Sequence, residues 1–184
     1  MTNTAETTNV GGVIPFLRTL RQVRRFRPDP IPDEVLSDIL DVARWTGSAK
    51  NVQPWDLLLV RDQETLRWLA QTGQYTGFLD GAALAIVLIM DGYSTATEAY
   101  DEGRLTERIM LAAKAHGVGS GTAWFGSEEA SAQVRARLGI PDGKHVRSAV
   151  GLGYPVDDAL TPSGRGGRKP LAEIVHHERF GANG

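Results

Sequence analysis

The alternation of apolar and polar positions predicts an amphipathic helix between residues 31 and 47. Its Ile-Pro-Asp-Glu start places a proline and two acidic residues in the first turn, where the helix dipole favours acidic groups. Apolar side chains then recur with a period of about 3.6 residues until Gly47, which is typical of a helix end. The recurring positions are Val35, Leu36, Ile39, Leu40, Val42 and Ala43.

Shorter apolar runs predict strands. Trp55–Arg61 holds three consecutive leucines followed by a valine, and Ala82–Met90 is an uninterrupted apolar run. The second run is too short to span a bilayer as a helix, which needs about 20 apolar residues. Because it is also short and β-branched, it is interpreted as a central strand of a sheet. Val146–Tyr154 and the short segment Thr122–Phe125 are predicted to be further strands.

Capping residues and turn signals predict the remaining elements. Helices are expected at 14–22, from Asp62 to Gly73, at 102–116, and from Ser127 to the vicinity of Gly139. Residues 155–170 are rich in Gly, Pro and Arg, and such a long loop in a compact domain is usually functional. Leu171–Val175 is a last strand-like piece.

The order of these elements predicts an α+β fold, because helices and strands are mixed without strict β-α-β alternation. Residues 1–12 are polar and are expected to form a disordered tail, followed by a single domain over residues 13–184. A chain of 184 residues buries roughly 70% of its unfolded surface, which supports one domain with a substantial core.

Composition excludes several classes of function. The absence of cysteine excludes disulfides, thiolate nucleophiles and iron–sulfur clusters, and the four scattered histidines predict no metal site. The formal net charge of −2 argues against a general affinity for nucleic acid or anionic membranes. The N-terminus lacks the basic start and apolar middle of a secretory signal, so a cytoplasmic protein is expected.

A cluster of arginines is the first candidate binding feature. Guanidinium groups bind phosphate through paired N–H donors, so the cluster is a candidate anion site. Taken alone, such a cluster is more often a solvated basic face. Its members are Arg18, Arg21, Arg24, Arg25 and Arg27.

Polar and glycine-rich loops are the other candidates. Ser48–Trp55 carries Ser, Asn and Gln on a connection between rigid elements, which suits ligand binding or a well-capped turn. Gly164–Pro170 places three cations on a flexible backbone that can wrap a phosphate or remain disordered. The glycines at 117–121 and 151–153 lack the strand-before-helix context of a dinucleotide fingerprint, which favours tight turns and close packing.

Taken together and in order, these segments resemble the nitroreductase-like FMN-dependent oxidoreductase family. Residues 21–26 are similar to the family's R-S-V-R-x-F signature, and residues 48–55 to its S-A-x-N-x-Q-P-W loop. The remaining matches are the G-L-G-S-like segment 117–120 and C-terminal segments at 151–155, 168–171 and 177–181. The resemblance covers about residues 14–181.

The resemblance implies a mixed sheet flanked by helices in an intertwined homodimer, with FMN at the subunit interface. C-terminal segments of the family commonly extend across to the partner, so the segment after the long loop is expected to do so here. The flavin carries the chemistry while the protein binds and orients it, so no catalytic side chain is assigned.

Matching positions give the expected site residues. Arg21, Gln22 and Arg24 would contact the FMN phosphate, ribityl chain or ring edge, and Arg168 would hold the phosphate. Ser48 and Asn51 would contact the ring from the other subunit. Backbone at Trp124 and Phe125 would lie near the reactive edge of the ring. The candidate walls of the substrate pocket, for which core packing is the alternative, are Tyr75, Phe78 and Trp124.

The implied activity is transfer of reducing equivalents from NAD(P)H to a nitroaromatic, quinone or similar small acceptor, with donor and acceptor using one pocket in turn. One alternative is a specialised FMN enzyme of the same fold, for dehalogenation or flavin breakdown. Another is a non-catalytic flavin-binding or storage protein. A hypothesis outside flavin chemistry is an anion-binding or nucleic-acid-binding domain that uses the arginine cluster.

Several positions depart from the family pattern. Gln22 replaces the usual Ser, Leu20 stands where many members have Arg, and Thr46–Gly47 replaces the usual Ala-Pro before Ser48. The stretch 68–103 contains no Lys or Arg, although some members place a basic side chain near the flavin ring there. These departures bear on the electron donor and on the stabilisation of the reduced flavin's negative charge.

Overall fold

The computed structural model describes residues 10–157 and 167–181 of the chain. Five α-helices and four β-strands lie in these ranges. The helices are α1 (Val10–Arg18), α2 (Asp33–Arg44), α3 (Gln63–Thr72), α4 (Thr95–Ala115) and α5 (Glu128–Leu138). The strands are β1 (Trp55–Val60), β2 (Leu84–Met90), β3 (Gly119–Trp124) and β4 (His145–Gly153). Single turns of 3₁₀ helix occur at Ala49–Asn51, Gly77–Gly81 and Leu171–Glu173.

The four strands form one sheet in the order β1-β2-β4-β3, and every neighbouring pair is antiparallel. The apolar run of β2 is explained by burial on both faces, since successive side chains of a strand point to opposite sides. Leu84, Ile86 and Leu88 pack with α2 and α4 on one face. The intervening Ala85 and Val87 pack with α3 and α5 on the other. The predicted α+β fold is confirmed, with a helical layer on each side of the sheet.

Three capping predictions are confirmed. The Asp62 carboxylate accepts hydrogen bonds from the Thr65 hydroxyl at 2.7 Å and from the Thr65 backbone N–H at 2.8 Å, and these two bonds lower the pKa of that carboxyl. Ser127 Oγ accepts from the Ala130 N–H at 3.1 Å and begins α5. Gly139 ends α5 in the left-handed conformation, with φ of 66°.

Three helices have bounds other than those predicted. Helix α2 ends at Arg44, with Trp45 as its C-cap, rather than at Gly47. Helix α1 runs from Val10 to Arg18 rather than over 14–22, so it includes residues 10–12 of the expected tail, while residues 1–9 lie outside the described ranges. Helix α4 begins at Thr95 rather than at residue 102, and Ser94 caps it. Its early turns bury the acidic residues Glu98 and Asp101, which interrupts the apolar period on which the prediction relied.

The C-terminal prediction also requires correction. Leu171–Val175 is not a strand, because Leu171–Glu173 forms a 3₁₀ turn and the segment is exposed.

The resemblance implies a mixed sheet. The described strands pair antiparallel, and the parallel pairing is an isolated bridge between Gln22 and Ser120. Residues 158–166 of the long loop lie outside the described ranges.

Candidate active site

The arginine-rich segment after α1 is held against edge strand β3. The Val23 backbone N–H donates to Ser120 O at 2.7 Å. The side chain of Gln22 accepts a hydrogen bond from the Thr122 N–H at 2.7 Å and donates to Thr122 Oγ1 at 3.2 Å. Gln22 thus satisfies a backbone donor of the sheet edge. This side-chain clamp fixes the segment and leaves the neighbouring arginines exposed.

Two cations border a cavity beside this segment. The cavity has a volume of about 460 Å³, and its lining includes the apolar residues Leu20 and Val118 together with Arg21 and Lys114. Arg21 Nη1 donates to backbone carbonyls at 2.8 and 2.9 Å, while Lys114 Nζ donates to Phe16 O and Thr19 Oγ1. Desolvation, and then the charge of Arg21, lowers the pKa of Lys114. Apolar walls with a few fixed cations suit a ligand that combines a ring with an anionic group.

Arg24 and Phe78 meet across the sheet edge. The Arg24 guanidinium carbon lies 5.9 Å from the centroid of the Phe78 ring, and Phe78 is half-buried. The ring covers two strands at glycines, since a Cβ built on Gly121 or Gly151 would lie 2.9 or 2.7 Å from Phe78 Cε2. Phe78 therefore packs against the sheet and positions Arg24. Its predicted role as a pocket wall remains a prediction.

Trp124 and Phe125 have different surroundings. Trp124 is 44% exposed, whereas the Phe125 side chain is buried in the core and its backbone N–H donates to Arg147 O at 3.0 Å. The turn before Tyr75 packs against this backbone, because a Cβ on Gly73 would lie 2.8 Å from Trp124 O. Tyr75 itself is exposed. The turn at Gly73 thus lies at the end of β3 that carries Trp124, whereas Phe78 packs over Gly121 in the middle of that strand.

A buried carboxylate lies at the base of a second cavity, of about 520 Å³, whose wall includes Thr122 and Trp124. Glu102 accepts hydrogen bonds from Arg147 Nε at 2.9 Å and from the Ser148 hydroxyl. Sequence reasoning missed this group. The available signal was the acidic spacing of residues 98, 101 and 102 in a region that an amphipathic helix would bury.

The Ser48 loop has an unusual backbone. Lys50, Asn51 and Gln53 adopt positive φ of 52°, 56° and 53°, a conformation that costs non-glycine residues about 1–3 kcal/mol each. Ser48 Oγ accepts a hydrogen bond from the Gln53 N–H at 2.8 Å, which closes the loop on itself. Such strain concentrates at functional sites. Ser48 is half-buried and Asn51 exposed, so both side chains are candidates for ligand contact.

The two groups of predicted cofactor residues lie at opposite edges of the sheet. The segment with Arg21 and Arg24 binds β3, while the Ser48 loop leads into β1. Three inter-strand spacings separate these strands, or about 14 Å. That these two groups contact one flavin remains a prediction.

Arg168 lies on the C-terminal segment and is exposed. Four apolar side chains of this segment are exposed as well, with exposed fractions from 43% to 95%: Leu171, Ile174, Val175 and Phe180. The predicted convergence of Arg168 and Arg24 on one phosphate remains a prediction.

Within the described ranges, no group of three or more His, Asp or Glu side chains is placed to hold a metal ion. None of the helices described has the length and apolar character needed to cross a bilayer.

Comparisons with known proteins agree on one family. The sequence profile of the nitroreductase family matches residues 17–76. A protein of Archaeoglobus fulgidus named "Putative NADH dehydrogenase/NAD(P)H nitroreductase" is 36% identical over 152 residues, covering 79% of this chain and 86% of that protein. The NADH dehydrogenase of Thermus thermophilus is 30% identical over 192 residues, covering 84% of this chain and 90% of that protein.

Solved structures share the fold. An FMN-dependent nitroreductase from Clostridium difficile R20291 superposes with a TM-score of 0.79 at 25% identity, covering 91% of this chain and 99% of that one. A structure from Desulfovibrio desulfuricans in complex with FMN has a TM-score of 0.78 at 26% identity, covering 92% of this chain and 98% of that one.

Proposed function

Because this chain belongs to the nitroreductase family, we propose that it is an FMN-dependent NAD(P)H oxidoreductase that reduces a small acceptor such as a nitroaromatic or a quinone. The observation that carries the proposal is the clamp of Gln22 on β3. It holds the signature segment in place, with Arg21 beside an apolar-walled cavity and Arg24 exposed over the Phe78 ring. The match to a solved structure that contains FMN supports the same cofactor.

The donor set fits FMN. The exposed guanidinium groups of Arg21 and Arg24 suit a phosphate, which Arg binds through paired N–H donors. Aromatic side chains at the end of β3 suit a flat ring, with Trp124 exposed beside the cavity above Glu102. FMN, when bound, supplies the redox chemistry of the reaction.

In this mechanism the protein's own residues bind FMN and orient the donor and the acceptor. Arg24, braced by Phe78, and Arg168 hold the phosphate, while Gln22 keeps the segment on the sheet edge. Ser48 and Asn51 contact the ring of the site that is completed by the other copy. Tyr75 and Trp124 border the space for donor and acceptor. NAD(P)H and the acceptor use this space in turn, because each must bring its reacting atom to about 3–3.5 Å from the ring.

The same geometry supports a homodimer as part of this proposal. The Ser48 loop leads into β1 and the arginine segment contacts β3, at opposite edges of one sheet, and in the proposed assembly two copies bring them together. The exposed apolar side chains of residues 171–180 provide surface for such an association, since large exposed apolar patches commonly mark interaction sites.

The test is the spectrum of the purified protein combined with anaerobic reduction. We expect a yellow protein that releases FMN on denaturation, loses absorbance near 450 nm with NADH or NADPH, and recovers it with a quinone or nitroarene. Double-reciprocal plots should give parallel lines. A colourless protein that does not bind added FMN would overturn the proposal. Bleaching by dithionite but by neither nicotinamide would instead favour a specialised donor or a flavin-carrier role.

A further inference from the structure

Arg104 on α4 fills the space that Gly47 leaves open beside the Ser48 loop. A Cβ built on Gly47 would lie 2.7 Å from Arg104 Nη2, so the guanidinium stands directly over this residue. The family resemblance puts a proline at this position, and its ring would occupy the same space. Gly47 and Arg104 therefore form a matched pair in this chain: the missing side chain of one admits the cation of the other.

A buried carboxylate holds Arg104 from the helix side. Asp101 Oδ1 lies 3.6 Å from Arg104 Nη1, and the Asp101 side chain is only 4% exposed. Its second oxygen, Oδ2, is buried without a hydrogen-bond partner among the described residues. The pair is thus oriented, with its negative end buried in α4 and its positive end at the loop. Arg104 itself is 47% exposed and free to face a ligand.

Arg104 also lines a cavity of about 510 Å³ together with Ser48 and Ala49. It is the one cation among the described residues that line this cavity, and Asp101 is the one anion. Lys50 is close in sequence to Ser48, but it is exposed and does not line this cavity. Glu107 and Arg108 lie one turn along α4 and line a neighbouring cavity with Arg104.

We propose that Arg104 supplies the positive charge that stabilises the reduced flavin, in the site to which its own Ser48 loop contributes. The inference rests on the proposed function. Transfer of a hydride from NAD(P)H adds two electrons and one proton to the flavin and releases NAD(P)⁺, so the ring gains one negative charge. A fixed cation nearby lowers the free energy of that charged form more than that of the neutral oxidised form. Arg104 takes the role left open by the absence of Lys and Arg from residues 68–103.

The test compares the midpoint reduction potential of FMN bound to the full-length protein and its variants. Arg104→Met should weaken binding of reduced FMN about ten-fold relative to oxidised FMN, a fall of about 30 mV for a two-electron couple. Arg104→Lys should restore most of the potential. Arg108→Met is the matched control, because it removes the same charge one helical turn away and away from Ser48, and it should leave the potential unchanged.

A second variant guards against loss of folding in the first. Gly47→Ala keeps every charge but displaces the guanidinium, so it should lower the potential in the same direction. Normal FMN binding with an unchanged potential in both Arg104→Met and Gly47→Ala would overturn the inference and leave the proposed function intact. A fall of the reduction potential in Lys50→Met but not in Arg104→Met would also overturn the inference. A wild-type protein that binds no FMN would overturn the proposed function and this inference together.

Discussion

Arg24 and Arg27 lie three residues apart on the same segment, yet their surroundings differ. Arg27 forms an ion pair with Asp29 at 3.0 Å and lies 5.5 Å from the Tyr154 ring centroid. Arg24 packs over Phe78 and forms no ion pair with the described residues, so its charge is available to a ligand. Within one arginine cluster, the tertiary contacts thus separate a structural cation from a candidate phosphate ligand.

Replacing Arg24 should therefore weaken FMN binding. A charge-assisted hydrogen bond contributes about 1.5–3 kcal/mol, so Arg24→Ala should raise the FMN dissociation constant roughly 10- to 150-fold. Arg168→Ala should have an effect of similar size if both side chains hold one phosphate. Arg27→Ala is the control and should change the constant much less. Equilibrium titration of apo-protein with FMN measures the dissociation constant of all three variants. Equally small effects would indicate that the cluster is a solvated basic face.

At the scale of elements, glycines in β3 and β4 determine how closely other segments approach the sheet. Gly121 lies directly under the Arg21–Arg24 segment, since a Cβ there would lie 2.5 Å from Val23 O and 2.9 Å from Phe78. The neighbouring Gly119 would place its Cβ 2.8 Å from the Val23 side chain. These glycines work through close packing rather than through a phosphate-binding turn.

Gly121→Ala should consequently affect both stability and the site. The added methyl group forces the arginine segment and Phe78 away from β3, and overpacking of this kind costs about 1–3 kcal/mol of unfolding free energy. FMN binding should weaken as well. Gly77→Ala, whose Cβ would meet no atom within 4 Å, should change stability by less than about 0.5 kcal/mol. Denaturant unfolding at equal protein concentration and FMN titration test the pair. Normal FMN affinity in Gly121→Ala would argue against the segment as a cofactor site.

At the scale of the whole molecule, one chain carries its two groups of predicted cofactor residues on different edges of the sheet, and its C-terminal segment exposes apolar side chains. The arginine segment lies at one edge of the sheet and the strained Ser48 loop at the other. Phe180 is 95% exposed and Leu171 is 73% exposed, which leaves their apolar surface unsatisfied in a single chain. Both features support the proposed homodimer, in which two copies would share two flavin sites.

Truncation after Pro170 should therefore weaken dimerisation and FMN binding together. A ligand that binds only the associated state stabilises that state by mass action, so the two properties are linked. Light scattering of the apo and FMN-bound forms, for full-length and truncated chains, provides the measurement. Leu171→Ala combined with Phe180→Ala in the full-length chain should shift both properties in the same direction. A monomer that binds FMN tightly would contradict the shared site.

Much of the fold was predictable because it depends on local pattern. The 3.6-residue period of α2, the unbroken apolar run of β2 and the caps at Asp62 and Ser127 specify their elements through side-chain burial and backbone hydrogen bonds alone. The start of helix α4 was not predicted because its buried acidic residues break the apolar period. Their burial is stabilised by distant partners such as Arg147 and Ser148, which no local window contains.

The sequence by itself determined the family, the elements and the types of residue that the site would use, because motifs and periods are properties of neighbouring residues. Only the tertiary structure decided what surrounds each of those residues. It placed Arg24 over the Phe78 ring, buried the Phe125 side chain in the core, and placed Arg104 over Gly47 although 57 positions separate them in the numbering. The physical reason is that charge, burial and close approach depend on which distant segments pack together, and that packing is decided by the whole core at once.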